Sequence, residues 1–182
     1  MNKKKCIFHI PLEIDRKMKS GSQLRPMKIL EAFQNSDYEV EVIMGSSKKR
    51  KEQIKKIKNK IKNGEKYDFI YSESSTMPTL LTDRNHLPLH PFVDFSFFKF
   101  CKKNGIKIGL FYRDIHWKFD LYKKTNKSVI KRVISKIFYQ YDLLKYNQLL
   151  DILYIPSESF KKYINCNRNY QIKLLPPGCE IN

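Results

Sequence analysis

The densest group of chemically active side chains in this sequence is the run Arg113-Asp114-Ile115-His116-Trp117. In such a run the guanidinium binds phosphate or carboxylate, the imidazole titrates near neutral pH, and the indole offers a flat face to a sugar ring. We interpret the run as part of a binding or catalytic site. An ion pair between Arg113 and Asp114, with Trp117 packed under the following helix, is the alternative interpretation.

A second polar group surrounds Glu73 in residues 72–76, where a carboxylate lies among hydroxyl side chains. A carboxylate accepts hydrogen bonds from the neighbouring hydroxyls of a sugar or a ribose, so Glu73 and Ser74 are candidate sugar contacts. A helix N-cap role for Ser74, Ser75 or Thr76 explains the same residues equally well.

A third group, Ser20-Gly21-Ser22-Gln23, lies just ahead of a predicted helix. A glycine flanked by hydroxyls at a helix start presents backbone N–H groups to an anion or a sugar. The sequence contains neither a dinucleotide-binding glycine fingerprint nor a phosphate-binding P-loop. A plain surface loop is therefore the alternative interpretation.

The remaining histidines and cysteines do not form a metal-ligand pattern. His86 and His90 lie in a Leu/Pro-rich segment and are interpreted as loop residues, whereas His9 is interpreted as a strand residue of the core or its rim. The four cysteines are far apart, contain no CxxC pair and predict reduced thiols: Cys6, Cys101, Cys166 and Cys179. We expect neither a metal site nor a bound cofactor.

The elements that must position these groups alternate along the chain. Strands are predicted at residues 5–10, 38–44, 67–72, 106–112, 151–155 and 171–175, and helices at 25–35, 48–63, 91–103, 128–150 and 157–164. The alternation of strands and helices predicts a fold of the α/β class. We expect a Rossmann-like three-layer α/β/α arrangement with a mostly parallel sheet of about six strands. In such sheets functional groups gather beyond the carboxyl ends of the strands, which is where the three polar groups lie.

Sequence features mark the start of one helix, the end of another and the apolar sides of two. Pro26 suits a first helical turn, and Gly64 suits a helix end. The helix at 48–63 has a thin apolar stripe of Ile54, Ile57 and Ile61. The helix at 128–150 is strongly apolar on one side, through Val129, Val133, Ile137, Phe138, Tyr141 and Leu144.

The chain carries 36 Lys and Arg against 18 Asp and Glu, a formal net charge of +18. Such a charge predicts a polyanionic neighbour, although part of the excess is also explained by a lysine-rich solvated surface. No zinc-finger, helix-turn-helix or ribonucleoprotein motif accompanies the lysines, and basic residues around the helix at 128–150 fit an anionic membrane surface at least as well as nucleic acid. We expect a cytoplasmic protein, soluble or peripheral at the inner face of the membrane.

Five segments in chain order resemble a known family: Ser20-Gly-Ser-Gln-Leu-Arg-Pro26, Tyr67-Asp-Phe-Ile-Tyr-Ser-Glu73, Gly109-Leu-Phe-Tyr-Arg-Asp114 with His116-Trp117, Asp151-Ile-Leu-Tyr-Ile-Pro-Ser157, and Leu174-Leu-Pro-Pro-Gly178. Together they resemble the N-terminal domain of GT-B fold glycosyltransferases, most closely family 4 and bacterial enzymes of capsule, lipopolysaccharide or other surface-polysaccharide synthesis.

The resemblance implies that residues 1–175 form the acceptor half of a two-domain enzyme and that residues 176–182 begin the linker to a donor-binding domain. The implied reaction moves a hexose from a nucleotide-sugar donor to a glycan or lipid-linked acceptor at an anionic membrane surface, with no nucleic acid partner. We expect no turnover from this chain alone. A non-catalytic basic binding module for nucleic acid or anionic membrane is the alternative.

The resemblance also assigns roles to individual residues. Arg113, Asp114 and His116 are implied to be catalytic, while the residues implied to contact the acceptor are Ser20, Gly21, Ser22, Gln23, Glu73, Ser74 and Trp117. The family often has a His-Asp pair where this sequence has Arg113-Asp114, with His116 two residues later. This departure leaves open whether His116 takes over the histidine role or Arg113 contacts a phosphate.

Overall fold

Six strands form a single sheet in which every neighbouring pair is parallel. They are β1 (Lys4–His9), β2 (Tyr38–Ile43), β3 (Phe69–Glu73), β4 (Lys107–Phe111), β5 (Ile152–Ile155) and β6 (Gln171–Leu174). Their order across the sheet is β2-β1-β3-β4-β5-β6. The computed structural model describes residues 4–14, 20–119, 122, 129–164 and 169–176. Of the expected linker, only Pro176 is among them.

Four α-helices connect the strands: α1 (Gly21–Gln34), α2 (Ser47–Lys62), α3 (Val93–Lys103) and α4 (Val129–Leu149). One face of the sheet packs on α2, α3 and α4, and the opposite face packs on α1. The predicted three-layer α/β/α fold with about six parallel strands is confirmed. Among the described residues, none of the helices combines the length and hydrophobicity needed to cross a bilayer.

The side chains of the central strands alternate between the two cores. On β3, Ile70 faces the larger core beneath α2, α3 and α4, while Tyr71 faces the smaller core beneath α1. On β4, Ile108 and Leu110 face the larger core, and Phe111 faces the smaller one. Burial on both faces explains why these strands are apolar at nearly every position.

Helix α1 begins earlier than predicted, so the placement of Pro26 in its first turn is wrong. Ser20 is the N-cap, and its carbonyl accepts hydrogen bonds from the backbone N–H groups of Gln23 and Leu24. Pro26 therefore lies inside the helix.

The short helix expected at 157–164 is a 3₁₀ helix, Glu158–Tyr163. Ser157 does not cap it through its side chain; its hydroxyl instead lies 2.9 Å from the Ser159 hydroxyl. The predicted stripe on α2 is confirmed for Ile54 and Ile57, which are buried.

The apolar side of α4 does not face the core. Val129, Val133, Ile137 and Leu144 are exposed and Phe138 and Tyr141 are half-buried, whereas the buried side chains are Ser135, Tyr139, Asp142, Tyr146 and Leu149. Polar contacts explain this orientation. Asp142 accepts hydrogen bonds from the backbone N–H of Thr79 at 2.8 Å and from its hydroxyl at 3.0 Å, and the Tyr139 hydroxyl donates to the Thr76 carbonyl at 2.6 Å.

Candidate functional site

The site lies where β3 and β4 end side by side. Glu73 is the last residue of β3 and pairs in register with Phe111, the last residue of β4. The segments that follow are joined by hydrogen bonds: Ser74 N–H donates to the Phe111 carbonyl at 2.9 Å, and Arg113 N–H donates to the Ser74 hydroxyl at 2.9 Å. Ser74 is buried by this arrangement, so its role is to hold the Arg113 segment in place.

Glu73 is fully buried and points toward α1, on the same side of the strand as Tyr71. The Tyr71 hydroxyl donates to Oε1 at 3.0 Å, and Arg113 Nη2 donates to Oε2 at 2.8 Å. Arg25 Nε lies 3.5 Å from Oε1. A buried carboxylate is tolerated only when it is paired in this way. The carboxylate is thus covered by protein, and its expected contact with a sugar hydroxyl stays a prediction.

Arg25, which sequence reasoning did not identify, comes from the second turn of α1. Its guanidinium carbon lies 3.7 Å from the centroid of the Phe111 ring. Two of its nitrogens, Nε and Nη2, have no hydrogen-bond partner among the described residues. Both guanidiniums approach the carboxylate of Glu73, Arg25 at Oε1 and Arg113 at Oε2. We name Arg25, Glu73 and Arg113 the arginine cluster.

The Ser20–Gln23 group is not a loop but the N-cap and first turn of α1. It precedes Arg25 on the same helix. Ser20 and Gly21 are exposed and Gln23 is half-buried, while the side chain of Ser22 lies outside the described part of the chain.

Asp114 and His116 form a second pair beside the arginine cluster. Asp114 Oδ1 accepts from the His116 backbone N–H at 2.7 Å, and Oδ2 lies 2.9 Å from His116 Nδ1. Burial opposes ionisation of Asp114, but the hydrogen bonds from the ring and backbone of His116 outweigh it, and the pKa of Asp114 lies below its usual range. An ionised Asp114 holds the Nδ1 proton, so the Nε2 atom of neutral His116 is a proton acceptor.

The alternative ion pair between Arg113 and Asp114 is not the arrangement that forms, because Arg113 pairs with Glu73. Trp117 follows the alternative interpretation instead. It is buried, its ring stacks on Tyr139 with centroids 5.0 Å apart, and its Nε1 donates to the Tyr112 hydroxyl at 3.2 Å. Its expected role as a platform for a sugar ring stays a prediction, with the ring covered by protein in this structure.

A buried ionic network that sequence reasoning missed lies beneath the carboxyl ends of β1 and β3. Asp94 Oδ1 lies 2.9 Å from His9 Nε2 and Arg50 Nε, and its Oδ2 is 2.9 Å from Arg50 Nη2. His9 Nδ1 lies 2.8 Å from the Ser72 hydroxyl, which confirms His9 as a satisfied core histidine. Arg50 is the single arginine on a lysine-rich helix. Because arginine suits buried ion pairs better than lysine does, this one departure from lysine was the sequence signal for a buried partner.

Ser47, Asp83 and His90 have the residue types of a hydrolase triad but not its connectivity. The Ser47 hydroxyl donates to Asp83 Oδ2 at 2.5 Å and lies 2.9 Å from His90 Nδ1. Asp83 Oδ1 also accepts from the Ser47 backbone N–H at 2.7 Å, at the first residue of α2. In a nucleophilic triad the carboxylate orients the histidine, whereas here it holds the serine. The cluster joins the 83–90 loop to α2.

Within the described residues, three carboxylates lie close enough to share a metal ion: Glu39, Glu41 and Glu65. Each is already paired with a lysine, Glu39 and Glu65 with Lys5 and Glu41 with Lys60. The group lies on the β2 side of the sheet, away from the arginine cluster. We assign it no function.

Comparison of the chain with protein-family models, with curated proteins and with solved structures gives no match.

Proposed function

We propose that the chain is the acceptor-side half of a GT-B fold glycosyltransferase that moves a sugar from a nucleotide-sugar donor to a lipid-linked glycan. The observation that supports this most is the placement of the arginine cluster next to the Asp114–His116 pair. Both lie at the carboxyl ends of adjacent parallel strands. Ligands of open parallel sheets bind at this edge.

The Asp114–His116 pair and the arginine cluster suit the two requirements of sugar transfer, a proton acceptor and a group that binds phosphate. The Nε2 atom of His116 accepts the proton of the attacking hydroxyl while that oxygen bonds to the anomeric carbon of the sugar. The bond between the sugar and the donor phosphate breaks, and the nucleoside diphosphate leaves. The guanidiniums of Arg25 and Arg113 stabilise phosphate oxygens of the donor or of a lipid-linked acceptor.

A transfer assay on the full product of the gene tests this proposal. The probes are a panel of nucleotide sugars and a polyprenyl-pyrophosphate-linked sugar as acceptor. We expect His116→Ala to reduce turnover at least about 100-fold with little change in acceptor binding. Arg113→Ala should weaken acceptor binding about tenfold or more. Wild-type turnover in both variants would remove the proposed site.

A polyanion-binding module is the second candidate, because of a groove beside α2. The groove encloses about 880 Å³. One wall carries lysines at helical spacing, namely Lys48, Lys51, Lys55, Lys58 and Lys62. The other wall carries the exposed ring of Phe92. Cations beside an exposed aromatic suit single-stranded nucleic acid, whose bases stack on such rings. Tight oligonucleotide binding that weakens steeply with salt, together with no sugar transfer, would favour this candidate.

A further inference from the structure

Helix α4 is turned so that most of its aliphatic side chains face away from the protein. Six of them form what we name the α4 row, and their exposed fractions are Val129 64%, Ile130 73%, Val133 51%, Ile134 43%, Ile137 57% and Leu144 53%. Monomeric soluble proteins seldom expose large apolar side chains side by side, and such patches mark interaction surfaces. The row therefore predicts a partner surface.

The row lies at the edge of the molecule that carries the candidate site. Tyr139 of α4 stacks on Trp117 and donates to the Thr76 carbonyl, and these two residues follow the ends of β4 and β3. Helix α4 has 21 residues, a length of about 31 Å, whereas β4 has five residues and spans about 17 Å. The turns before Tyr139 consequently project beyond the carboxyl edge of the sheet.

The sequence around the row is strongly basic. Residues 118–136 contain seven lysines and arginines and one acid, Asp120. Among the described members, Lys118 and Lys131 are exposed, and Arg132 and Lys136 are half-buried. Clusters of four to eight cations on or next to an amphipathic helix are attracted to anionic lipid headgroups.

We propose that the α4 row inserts into the headgroup boundary of an anionic lipid bilayer, with the surrounding cations on the lipid phosphates. An aliphatic face with lysine and arginine beside it is the composition of interfacial helices. A second copy of the chain fits poorly, because it brings the same net charge of +18 to the contact. Nucleic acid leaves the six aliphatic side chains without an apolar partner. The lipid surface satisfies both the charge and the apolar row.

This docking deepens the proposed function and rests on it for the identity of the acceptor. The row and the Asp114–His116 pair lie at the same edge, since Tyr139 contacts both Trp117 and the His116 ring, the latter with centroids 5.9 Å apart. A lipid-linked acceptor held in the bilayer would thus present its polar end to His116. Lipid binding itself requires no turnover and can be measured separately.

The test is co-sedimentation with vesicles of phosphatidylcholine containing about one-third phosphatidylglycerol, compared with pure phosphatidylcholine. The variant Ile130→Gln/Val133→Gln/Ile137→Gln removes three exposed members of the row. The matched control Leu87→Gln/Leu89→Gln removes two leucines that are 55% and 57% exposed on the 83–90 loop. We expect the wild type and the control to bind anionic vesicles with affinities within about twofold of each other. The row variant should bind them at least about tenfold more weakly.

Far-UV circular dichroism and the urea midpoint confirm that the variants fold. Equal vesicle binding by the row variant and the wild type would overturn the proposal. So would the absence of wild-type binding to anionic vesicles, tighter binding to a single-stranded oligonucleotide than to lipid, or a dimer in gel filtration that the row variant abolishes. If the vesicle result stands while the full gene product transfers no sugar to the acceptor, the glycosyltransferase proposal fails and the lipid docking survives.

Discussion

Arg113 donates from Nη2 to Glu73 Oε2 over 2.8 Å and so joins the segment after β4 to the last residue of β3. Arg113 is only 11% exposed and Glu73 is completely buried. This pair fixes the start of the segment that carries Asp114 and His116. The stability of the arginine cluster and the geometry of the candidate site are therefore linked.

Glu73→Gln removes the carboxylate that compensates Arg25 and Arg113. We expect the free energy of unfolding to fall by about 2–4 kcal/mol, because both largely buried guanidiniums lose the ion pair with this carboxylate. Urea denaturation measures the change. Glu31→Gln is the matched control, since Glu31 lies on the exposed side of α1 with Lys28 3.9 Å away, and its loss should cost less than about 0.5 kcal/mol. Equal effects of the two substitutions would contradict the role assigned to Glu73.

Asp114→Asn keeps the shape of the side chain but removes the charge that holds the Nδ1 proton of His116. If His116 is the proton acceptor in sugar transfer, kcat should fall roughly 100-fold while KM for the acceptor changes less than about threefold. Steady-state kinetics of the full gene product measures this split. A merely structural role would instead lower the melting temperature and leave kcat per folded molecule unchanged.

Asp94 links stability to acid pH. Burial opposes its ionisation, but hydrogen bonds from His9 and the charge of Arg50 prevail and lower its pKa to about 2. A lowered folded-state pKa adds stability above the unfolded value near 4, and this stability is lost as pH falls toward 2. Asp94→Asn should cost about 3–5 kcal/mol at pH 7 and flatten the acid limb of the stability curve. The exposed Asp37→Asn should leave both unchanged.

Asp142 has the opposite pH dependence. Burial is the main cause, with a further contribution from the charge of Asp94, and together they raise the pKa of Asp142 to about 7. The native state then binds more protons than the unfolded state between about pH 4 and pH 7, so this group makes stability fall as pH rises through that range. Asp142→Asn keeps an oxygen acceptor for Thr79 and removes the titration.

Thermal unfolding from pH 4 to pH 8 checks the prediction for Asp142. The Asp142→Asn protein should be more stable than the wild type at pH 8 and nearly equal to it at pH 4. Parallel curves for the two proteins would show that Asp142 does not titrate in this range.

The strands, the helix order and the position of the site at the strand ends could be predicted from the sequence, because alternation and hydrophobic runs are local signals. The face that α4 buries could not. Its apolar stripe predicts burial of Val133, but contacts of Asp142 with Thr79 and of Tyr139 with Thr76 and Trp117 hold the helix the other way round. Those contacts join residues that are distant in sequence, where a local pattern carries no information.

The site residues show the same limit. Alternation along β3 puts Glu73 on the side of Tyr71, so the hydrogen bond between them was within reach of the sequence. The approach of Arg25 from α1 was not, because a long side chain reaches Glu73 from 48 positions away and nothing near Arg25 in the sequence indicates that direction.

The order of the sheet also bears on how the protein is made. Strand β2 pairs with β1, β3 adds to the free side of β1, and β4, β5 and β6 each add to the strand before it. As the chain leaves the ribosome from its N-terminus, every strand after the first meets a pairing edge that has already been synthesised. The sheet can therefore be completed strand by strand during translation, with Glu73 in place before Arg113 has been added to the chain.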